Sequence, residues 1–237
     1  MLDIHSHILP KMDDGSKSVE MSVEMLRESR CQGITTMVST SHFYADAESP
    51  EHFLKRRAHA QQRLTEALPD DVPALLYGAE VLYFPGISGS DEVARLSIGD
   101  TSLILIELPF VQWSSRIFDE LSTFERNFGL HIVLAHVERY QPLQKRAIYR
   151  ELFEQPFLFQ CNAEAFLSAR SRRLAFDLMD RGLLHFLGSD CHNTTTRPQR
   201  MQQARDTVVK RRGEDAWNAL VENAESRFAL YSQRERA

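Results

Sequence analysis

The stretch Leu2-Asp3-Ile4-His5-Ser6-His7 is a short apolar run that ends in two histidines separated by one residue. In an extended strand, side chains at positions i and i+2 point to the same side, so both imidazoles are expected to face one way. A lone histidine at a strand end is usually a hydrogen-bonded core residue. The pair therefore predicts a metal site only if other segments of the chain supply partners.

Similar apolar runs recur along the chain, separated by longer amphipathic segments. Seven are predicted as strands, over residues 2–5, 34–40, 74–80, 102–107, 131–136, 157–161 and 183–188. Helical spacing predicts helices over residues 18–32, 50–67, 114–128, 168–181, 198–212 and 215–231. Alternating strands and helices favour an α/β fold with a parallel sheet. Seven such units would make a TIM-like (β/α) barrel, and an open doubly wound sheet is the alternative.

Length and composition fit a single domain over residues 1–237, with 43% hydrophobic and 26% charged residues. The three cysteines, Cys31, Cys161 and Cys191, form no CxxC pair and imply neither a disulfide framework nor a zinc ribbon. Together with the absence of a leader-like start, they favour a cytoplasmic protein. The net charge of −5 argues against nucleic-acid binding, and no apolar run suits membrane insertion. Assembly of the chain into a homo-oligomer is compatible with the sequence.

Nearly every predicted strand ends in a side chain that can bind a metal. These side chains belong to His5, His7, His42, Glu80, Glu107, His136, Asp190 and His192. In parallel α/β folds, chemistry takes place at the carboxyl ends of the strands. Burying several carboxylates together without cations would be costly through desolvation and repulsion. The set therefore predicts a metal-dependent hydrolase, whereas His131 and His185 fall at strand starts and are not expected to join it.

Six blocks of sequence, in order, resemble the polymerase-and-histidinol-phosphatase (PHP) superfamily, specifically its bacterial capsule- and exopolysaccharide-operon tyrosine phosphatases, the CpsB-like group. The blocks are Asp3-Ile4-His5-Ser6-His7-Ile8-Leu9-Pro10 with Asp13-Asp14-Gly15, Ser39-Thr40-Ser41-His42, Tyr77-Gly78-Ala79-Glu80, Leu105-Ile106-Glu107, Ala135-His136-Val137-Glu138-Arg139-Tyr140 and Ser189-Asp190-Cys191-His192-Asn193. The resemblance covers about residues 1–200. It implies a distorted seven-stranded barrel of the PHP type.

The resemblance also implies a trinuclear metal centre and assigns its ligands. By motif position these are His5, His7, Asp14, His42, Glu80, Glu107, His136, Asp190 and His192. The choice of Asp14 over Asp13 rests on the resemblance alone, as does the assignment of Arg139 and Arg197 to phosphate binding and catalysis. Four carboxylates against three divalent ions leave two positive charges, which match a phosphomonoester dianion.

The expected reaction is hydrolysis of phosphotyrosine by metal-activated hydroxide. Mixed histidine and carboxylate ligands suit Mn²⁺, our first choice, with Fe, Co²⁺, Zn²⁺ or Mg²⁺ as further candidates. The resemblance implies that the substrate is the tail of a bacterial tyrosine kinase that regulates capsular or exopolysaccharide synthesis.

Several alternatives remain at this point. The same metal site would serve a PHP-type phosphoesterase acting on a small molecule such as histidinol phosphate, or a metal-dependent amidohydrolase. Residues 191–197 read C-x5-R, the spacing of cysteine-dependent tyrosine phosphatases. A metal-stabilised scaffold for a kinase would need no activity. The rim aromatics could line a substrate groove or simply anchor loops: Phe43, Tyr44, Tyr83, Phe84, Phe110 and Trp113.

Overall fold

The computed structural model describes residues 1–232, and a curled parallel sheet lies at its centre. Its strands are β1 (Leu2–Ser6), β2 (Thr36–Ser39), β3 (His42–Phe43), β4 (Ala74–Tyr77), β5 (Glu80–Leu82), β6 (Leu103–Glu107), β7 (His131–Leu134), β8 (Leu158–Asn162) and β9 (Phe186–Gly188). The helices are α1 (Val19–Cys31), α2 (Pro50–Thr65), α3 (Asp91–Ala94), α4 (Arg116–Phe128), α5 (Arg146–Leu152), α6 (Arg172–Asp180), α7 (Met201–Arg212) and α8 (Glu214–Tyr231). The α/β class with a parallel sheet is as the sequence predicted.

Within this curled sheet, the hydrogen bonds between strands define two parallel parts. One has the order β1-β2-β4 and the other β3-β5-β6-β7-β8-β9. The chain crosses from the first to the second twice, between β2 and β3 and between β4 and β5. Strand β1 also lies beside β9, because the His7 N–H donates to the Cys191 carbonyl at 2.9 Å and the Asp190 N–H donates to the His5 carbonyl at 2.8 Å.

Two of the seven predicted strands are wrong in detail, since each is broken in two. The segment predicted over residues 34–40 ends at Ser39 and resumes as β3, and the segment over 74–80 is interrupted at Gly78. A Cβ at Gly78 would lie 2.9 Å from the Ile98 side chain, so the chain bends closely past its neighbour there. Both breaks fall beside a candidate ligand, His42 or Glu80.

All six predicted helices are present, with ends that differ by at most four residues, and two further short helices occur. The helix predicted over 168–181 begins only at Arg172, and a separate turn of 3-10 helix, Ala163–Phe166, precedes it. Two helices, α3 and α5, were not predicted, since each is too short to show a helical period. None of the helices within residues 1–232 is both long and apolar enough to cross a membrane.

Burial of the strands and of one face of each helix builds the core. Residues 103–106 are fully buried, as expected for a parallel strand covered on both faces. Helix α4 turns Ile117, Phe118, Leu121 and Phe124 inward. Each such side chain contributes about 1.5–3 kcal/mol by leaving water. This packing fixes the strand ends on which the polar residues are carried.

Candidate metal centre

The structure brings eight of the nine predicted ligands into three overlapping groups of facing ligand atoms. The first group is His7, Asp14, His42 and His192; the second is His5, His7 and Asp190; the third is His42, Glu80 and Glu107. His7 and His42 each belong to two groups. Ligand atoms within a group lie within 4.8 Å of one another. Overlapping groups of this kind can hold several ions side by side.

The ninth residue, His136, lies against the third group without being counted in it. Its Nε2 is 2.9 Å from Glu80 Oε1 and 3.3 Å from Glu107 Oε1. His136 has a φ of 33° and Asp190 a φ of 52°, and only Lys11 joins them among the non-glycine residues of 1–232 with positive φ. Such strained conformations persist where surrounding contacts enforce them, and they cluster at functional sites.

Several buried polar atoms of these residues lack a hydrogen-bond partner within residues 1–232. They are His42 Nδ1, Glu80 Oε2, His136 Nδ1 and His192 Nε2. Glu80 Oε2 nevertheless lies 3.0 Å from His42 Nδ1 and 3.2 Å from His5 Nε2. Ligands that share an ion at about 2.0–2.2 Å are expected to lie about 3 Å apart. Because an unpaired buried polar atom is costly, this donor set fits divalent metal ions.

The two neighbouring aspartates of the first motif have different positions. Asp14 is largely exposed, and its Oδ1 lies 3.2 Å from His192 Nε2. Asp13 is turned inward, where its Oδ2 accepts a hydrogen bond from His7 Nδ1 at 2.8 Å. Burial works to raise the pKa of Asp13, but His7 and the backbone donors hold it well below its usual range. Asp13 thus fixes the imidazole whose Nε2 faces the site.

Gly15 allows this turn to close. A Cβ at that position would lie 2.3 Å from the His7 carbonyl oxygen, a distance no side chain tolerates. The Gly15 N–H donates to Asp13 Oδ1 at 2.9 Å. The turn therefore presses Asp13 against the histidine pair and directs Asp14 outward.

Strand β8, which carries none of the predicted ligands, contributes two buried amides that the sequence analysis missed. Gln160 Oε1 lies 3.2 Å from His5 Nδ1 and accepts the His136 N–H at 2.7 Å. Its Nε2 donates to Asn162 Oδ1, and Asn162 Nδ2 donates to Asp190 Oδ2, both at 2.9 Å. The sequence signal was present: polar residues at i and i+2 in an otherwise apolar strand.

Two buried carboxylates also lie behind the site. Asp3 accepts hydrogen bonds from the backbone N–H groups of His5 and Ser189, and burial raises its pKa. Glu138 accepts the Asn162 N–H at 3.3 Å through one oxygen, and burial raises its pKa as well. Both tie a ligand-bearing segment to a neighbouring strand. Asp3 does so for β1 and β9.

Arg139 and Arg197 lie on opposite sides of Asp190. Arg197 Nη2 donates to Asp190 Oδ1 at 2.8 Å, and Arg139 Nη1 lies 3.4 Å from Asp190 Oδ2. Both side chains remain partly exposed: 43% of the Arg139 side chain and 40% of the Arg197 side chain. With Phe110 they line a cleft of about 420 Å³, named here the arginine-pair cleft. The sheet end is therefore open to an anion on the side of the two arginines.

Only two of the six rim aromatics flank the ligand cluster. Tyr44 stacks on His42 and Phe110 on His136, with ring centroids 5.4 and 5.9 Å apart. Phe43 is fully buried, which excludes it from a substrate groove. The other three anchor loops: Tyr83 donates to Glu120, Trp113 donates to the Pro109 carbonyl, and Phe84 packs against the core.

The geometry gives no support to a cysteine nucleophile at residue 191. Cys191 is 1% exposed and bridges to Ser6 of β1 through its backbone. Burial, with Asp3 nearby, raises the pKa of its thiol to about 12. A catalytic thiolate needs a lowered pKa and an accessible sulfur.

The chain is similar to known proteins over most of its length. It is 33% identical to tyrosine-protein phosphatase CpsB of Streptococcus pneumoniae over 90% of this chain and 91% of the relative. It is 32% identical to tyrosine-protein phosphatase YwqE of Bacillus subtilis (strain 168), over 95% and 90%. This chain also superposes on a crystal structure from work on YwqE and CpsB, which are described there as "unique metal-dependent tyrosine phosphatases". The TM-score is 0.78 at 29% identity, covering 95% of this chain and 93% of that one.

The family model "Capsular polysaccharide synthesis, CpsB/CapC" matches residues 1–229. This match confirms the family resemblance inferred from the sequence motifs. The chain belongs to the CpsB/CapC family of capsular polysaccharide synthesis.

Proposed function

We propose that this protein is a metal-dependent protein-tyrosine phosphatase. The observation that carries the proposal is the convergence of three metal-ligand groups on a cleft that holds two arginines. Its relatives CpsB and YwqE are named tyrosine-protein phosphatases, and both are described as metal-dependent. The same chemistry is inferred for this chain.

We infer that the site holds three divalent ions, with Mn²⁺ the first candidate and Fe, Co²⁺, Zn²⁺ or Mg²⁺ as further ones. The three overlapping ligand groups support that number. The ligands would be His5, His7, Asp14, His42, Glu80, Glu107, His136, Asp190 and His192. When bound, such ions lower the pKa of water and offset the charge of the phosphate.

The remaining work falls to residues of the chain itself. Arg139 and Arg197 would bind the equatorial phosphate oxygens, since a guanidinium presents paired donors that match a phosphate. Their partly exposed side chains lie where an incoming phosphate can compete for them. Tyr44 and Phe110 flank the ligand cluster and would contact the phenyl ring. The phenolate leaving group has a pKa of about 10 and departs more easily than an alkoxide.

The same proposal extends to the fold and the setting of the protein. We infer one domain over residues 1–237, in which the strand segments close as a distorted seven-stranded PHP-type barrel. The parallel bridge between Ser6 and Cys191 supports closure of the barrel. The nine strands give seven when each of the two broken strands is counted once. The substrate would be the tail of a bacterial tyrosine kinase in the cytoplasm that regulates capsular or exopolysaccharide synthesis. The family description supports the link to capsular polysaccharide synthesis.

The test measures turnover of a phosphotyrosine peptide, histidinol phosphate and p-nitrophenyl phosphate side by side. We expect the peptide to have the highest kcat/KM, activity to disappear with chelator, and Mn²⁺ to restore it. Preference for histidinol phosphate would instead identify a small-molecule phosphoesterase. Full activity in chelator, combined with none in Cys191→Ser, would overturn the metal mechanism.

A further inference from the structure

A second cleft, of about 600 Å³, opens beside the arginine-pair cleft, between helices α5 and α6. The two clefts share Gln141 and Arg170 in their walls. The two clefts are therefore adjacent, so one extended peptide can reach both. Nothing in the proposed hydrolysis uses this second cleft, named here the α5–α6 cleft.

The α5–α6 cleft is strongly basic in a protein that is acidic overall. Five arginines line it against two acidic residues, Glu154 and Asp177: Arg146, Arg150, Arg170, Arg173 and Arg181. Arg181 is paired with Asp177 at 3.1 Å. The other four are exposed, and none of them forms an ion pair with any residue between 1 and 232. The whole chain carries a net charge of −5, so this local surplus runs against its composition.

The floor of the cleft is apolar. Tyr149 and Leu174 are buried beneath the arginines, and Phe153 lies beside them. Guanidinium groups above apolar and aromatic surface suit a ligand that has an anionic head and an apolar body. Guanidinium donors match phosphate and carboxylate oxygens in pairs. Phosphotyrosine and acidic side chains in an extended peptide both present such oxygens.

We propose that the α5–α6 cleft binds an anionic segment of the polypeptide substrate, next to the phosphotyrosine that is being hydrolysed. The anion is a second phosphotyrosine or a run of acidic side chains. This inference rests on the proposed phosphatase function, and it gives the enzyme a preference for densely phosphorylated or acidic substrate over an isolated phosphotyrosine.

The experiment compares three peptides that share one phosphotyrosine. The first has neutral flanks, the second a further phosphotyrosine at varied spacing, and the third a run of glutamates in its place. We expect the charged peptides to exceed the neutral one by about tenfold in kcat/KM, mainly through KM, with the advantage shrinking as salt is raised. The stronger of the two charged peptides identifies the source of the anion.

A double variant isolates the cleft. Arg150→Gln with Arg173→Gln removes one arginine from each wall, and Arg30→Gln with Arg63→Gln makes the same change in net charge on exposed residues outside both clefts. The first variant should lose the preference to within about twofold while p-nitrophenyl phosphate turnover is unchanged. The control should keep the preference. These outcomes would establish docking in the α5–α6 cleft.

Failure of this inference can be told apart from failure of the proposed function. If p-nitrophenyl phosphate and the neutral peptide are hydrolysed but charge gives no advantage, the cleft proposal is overturned and the phosphatase stands. If no phosphate ester is hydrolysed, anisotropy with a labelled non-hydrolysable phosphonate version of the second peptide tests the cleft alone. Equal binding by wild type and the Arg150/Arg173 variant would then overturn it.

Discussion

Strand β7 has a histidine at each end, and the two differ in every contact. His131, at its start, is exposed, and its ring lies 4.4 Å from that of Tyr231. His136, just past its end, is buried, with Nε2 2.9 Å from Glu80. His185, which precedes β9, repeats the first pattern, because its Nδ1 accepts the Phe159 N–H at 2.8 Å. A histidine's role here follows from the edge of the sheet on which it lies.

The difference has a physical origin in the parallel sheet. All carboxyl ends lie at one edge, so residues distant in sequence meet there and can share ions. The amino ends meet at the other edge, where histidines find single aromatic or backbone partners. The same side chain thus faces the candidate metal ligands at one edge and takes part in packing at the other.

The strongest test of this comparison substitutes the two ends of β7 alike. His136→Ala should lose at least about a thousandfold in kcat/KM, because it removes a proposed ligand, and losing even a residue behind a ligand costs about 10–100-fold. His131→Ala should change activity by less than about twofold, a surface-type effect. Activity and metal content by plasma mass spectrometry would be measured together. Equal losses in both variants would refute the assignment.

The next effect separates phosphate binding from metal binding at the carboxyl edge. Arg139→Ala should lower kcat/KM about 10²–10³-fold, the usual loss when one donor to developing charge is removed. Metal content should remain that of the wild type, since Arg139 is not a candidate ligand. If metal is lost with the activity, Arg139 acts through Asp190 and the role in phosphate binding is wrong.

A smaller loss is expected behind the ligands, on β8. Gln160→Leu removes the acceptor for His5 Nδ1 and for the His136 N–H. We expect metal affinity or activity to fall about 10–100-fold. Gln155→Leu is the matched control, because the side chain of Gln155, in the loop after α5, donates to the Glu151 carbonyl and to none of the candidate ligands. Titration with Mn²⁺ measures the affinity, and unchanged affinity in Gln160→Leu would remove β8 from the site.

The smallest effect concerns the amino edge and appears only with pH. Burial, aided by Arg227, lowers the pKa of His185 to about 4, whereas an unfolded histidine titrates near about 6.5. The unfolded chain therefore takes up a proton first, and the contribution of His185 to stability falls as pH drops from about 6.5 towards about 4. In chelator-treated protein, His185→Gln should make the midpoint of urea unfolding depend less on pH in that range. A wild-type slope in the variant would contradict this.

The sequence predicted which side chains would come together at the candidate site because their signal is local. The i, i+2 pairs at His5 and Asp190, and single acids such as Glu107 after apolar runs, are visible in one strand at a time. Their convergence then follows from the parallel α/β arrangement alone. The separation of Asp14 from Asp13 did not follow, because it depends on a turn closed by Gly15 against His7.

Other features depend on contacts that cross the sheet and leave little trace in one segment. The break in the third predicted strand arises where Gly78 passes close to Ile98. Gln160 is visible as a polar residue in an apolar strand, but its role was not predicted because its partners, His5 and His136, lie in other segments of the chain. Phe43 was misplaced since a rim loop and a core strand of two residues look the same in sequence.

The hydrogen bond from the Ser189 N–H to Asp3 joins residues 186 positions apart, and the His7 N–H and the Cys191 carbonyl close the same seam. During synthesis on a ribosome, the opening histidines emerge long before the strand that completes their surroundings. A nascent chain can thus offer only a partial set of donors. The set of candidate donors is complete only once Asp190 and His192 have left the ribosome.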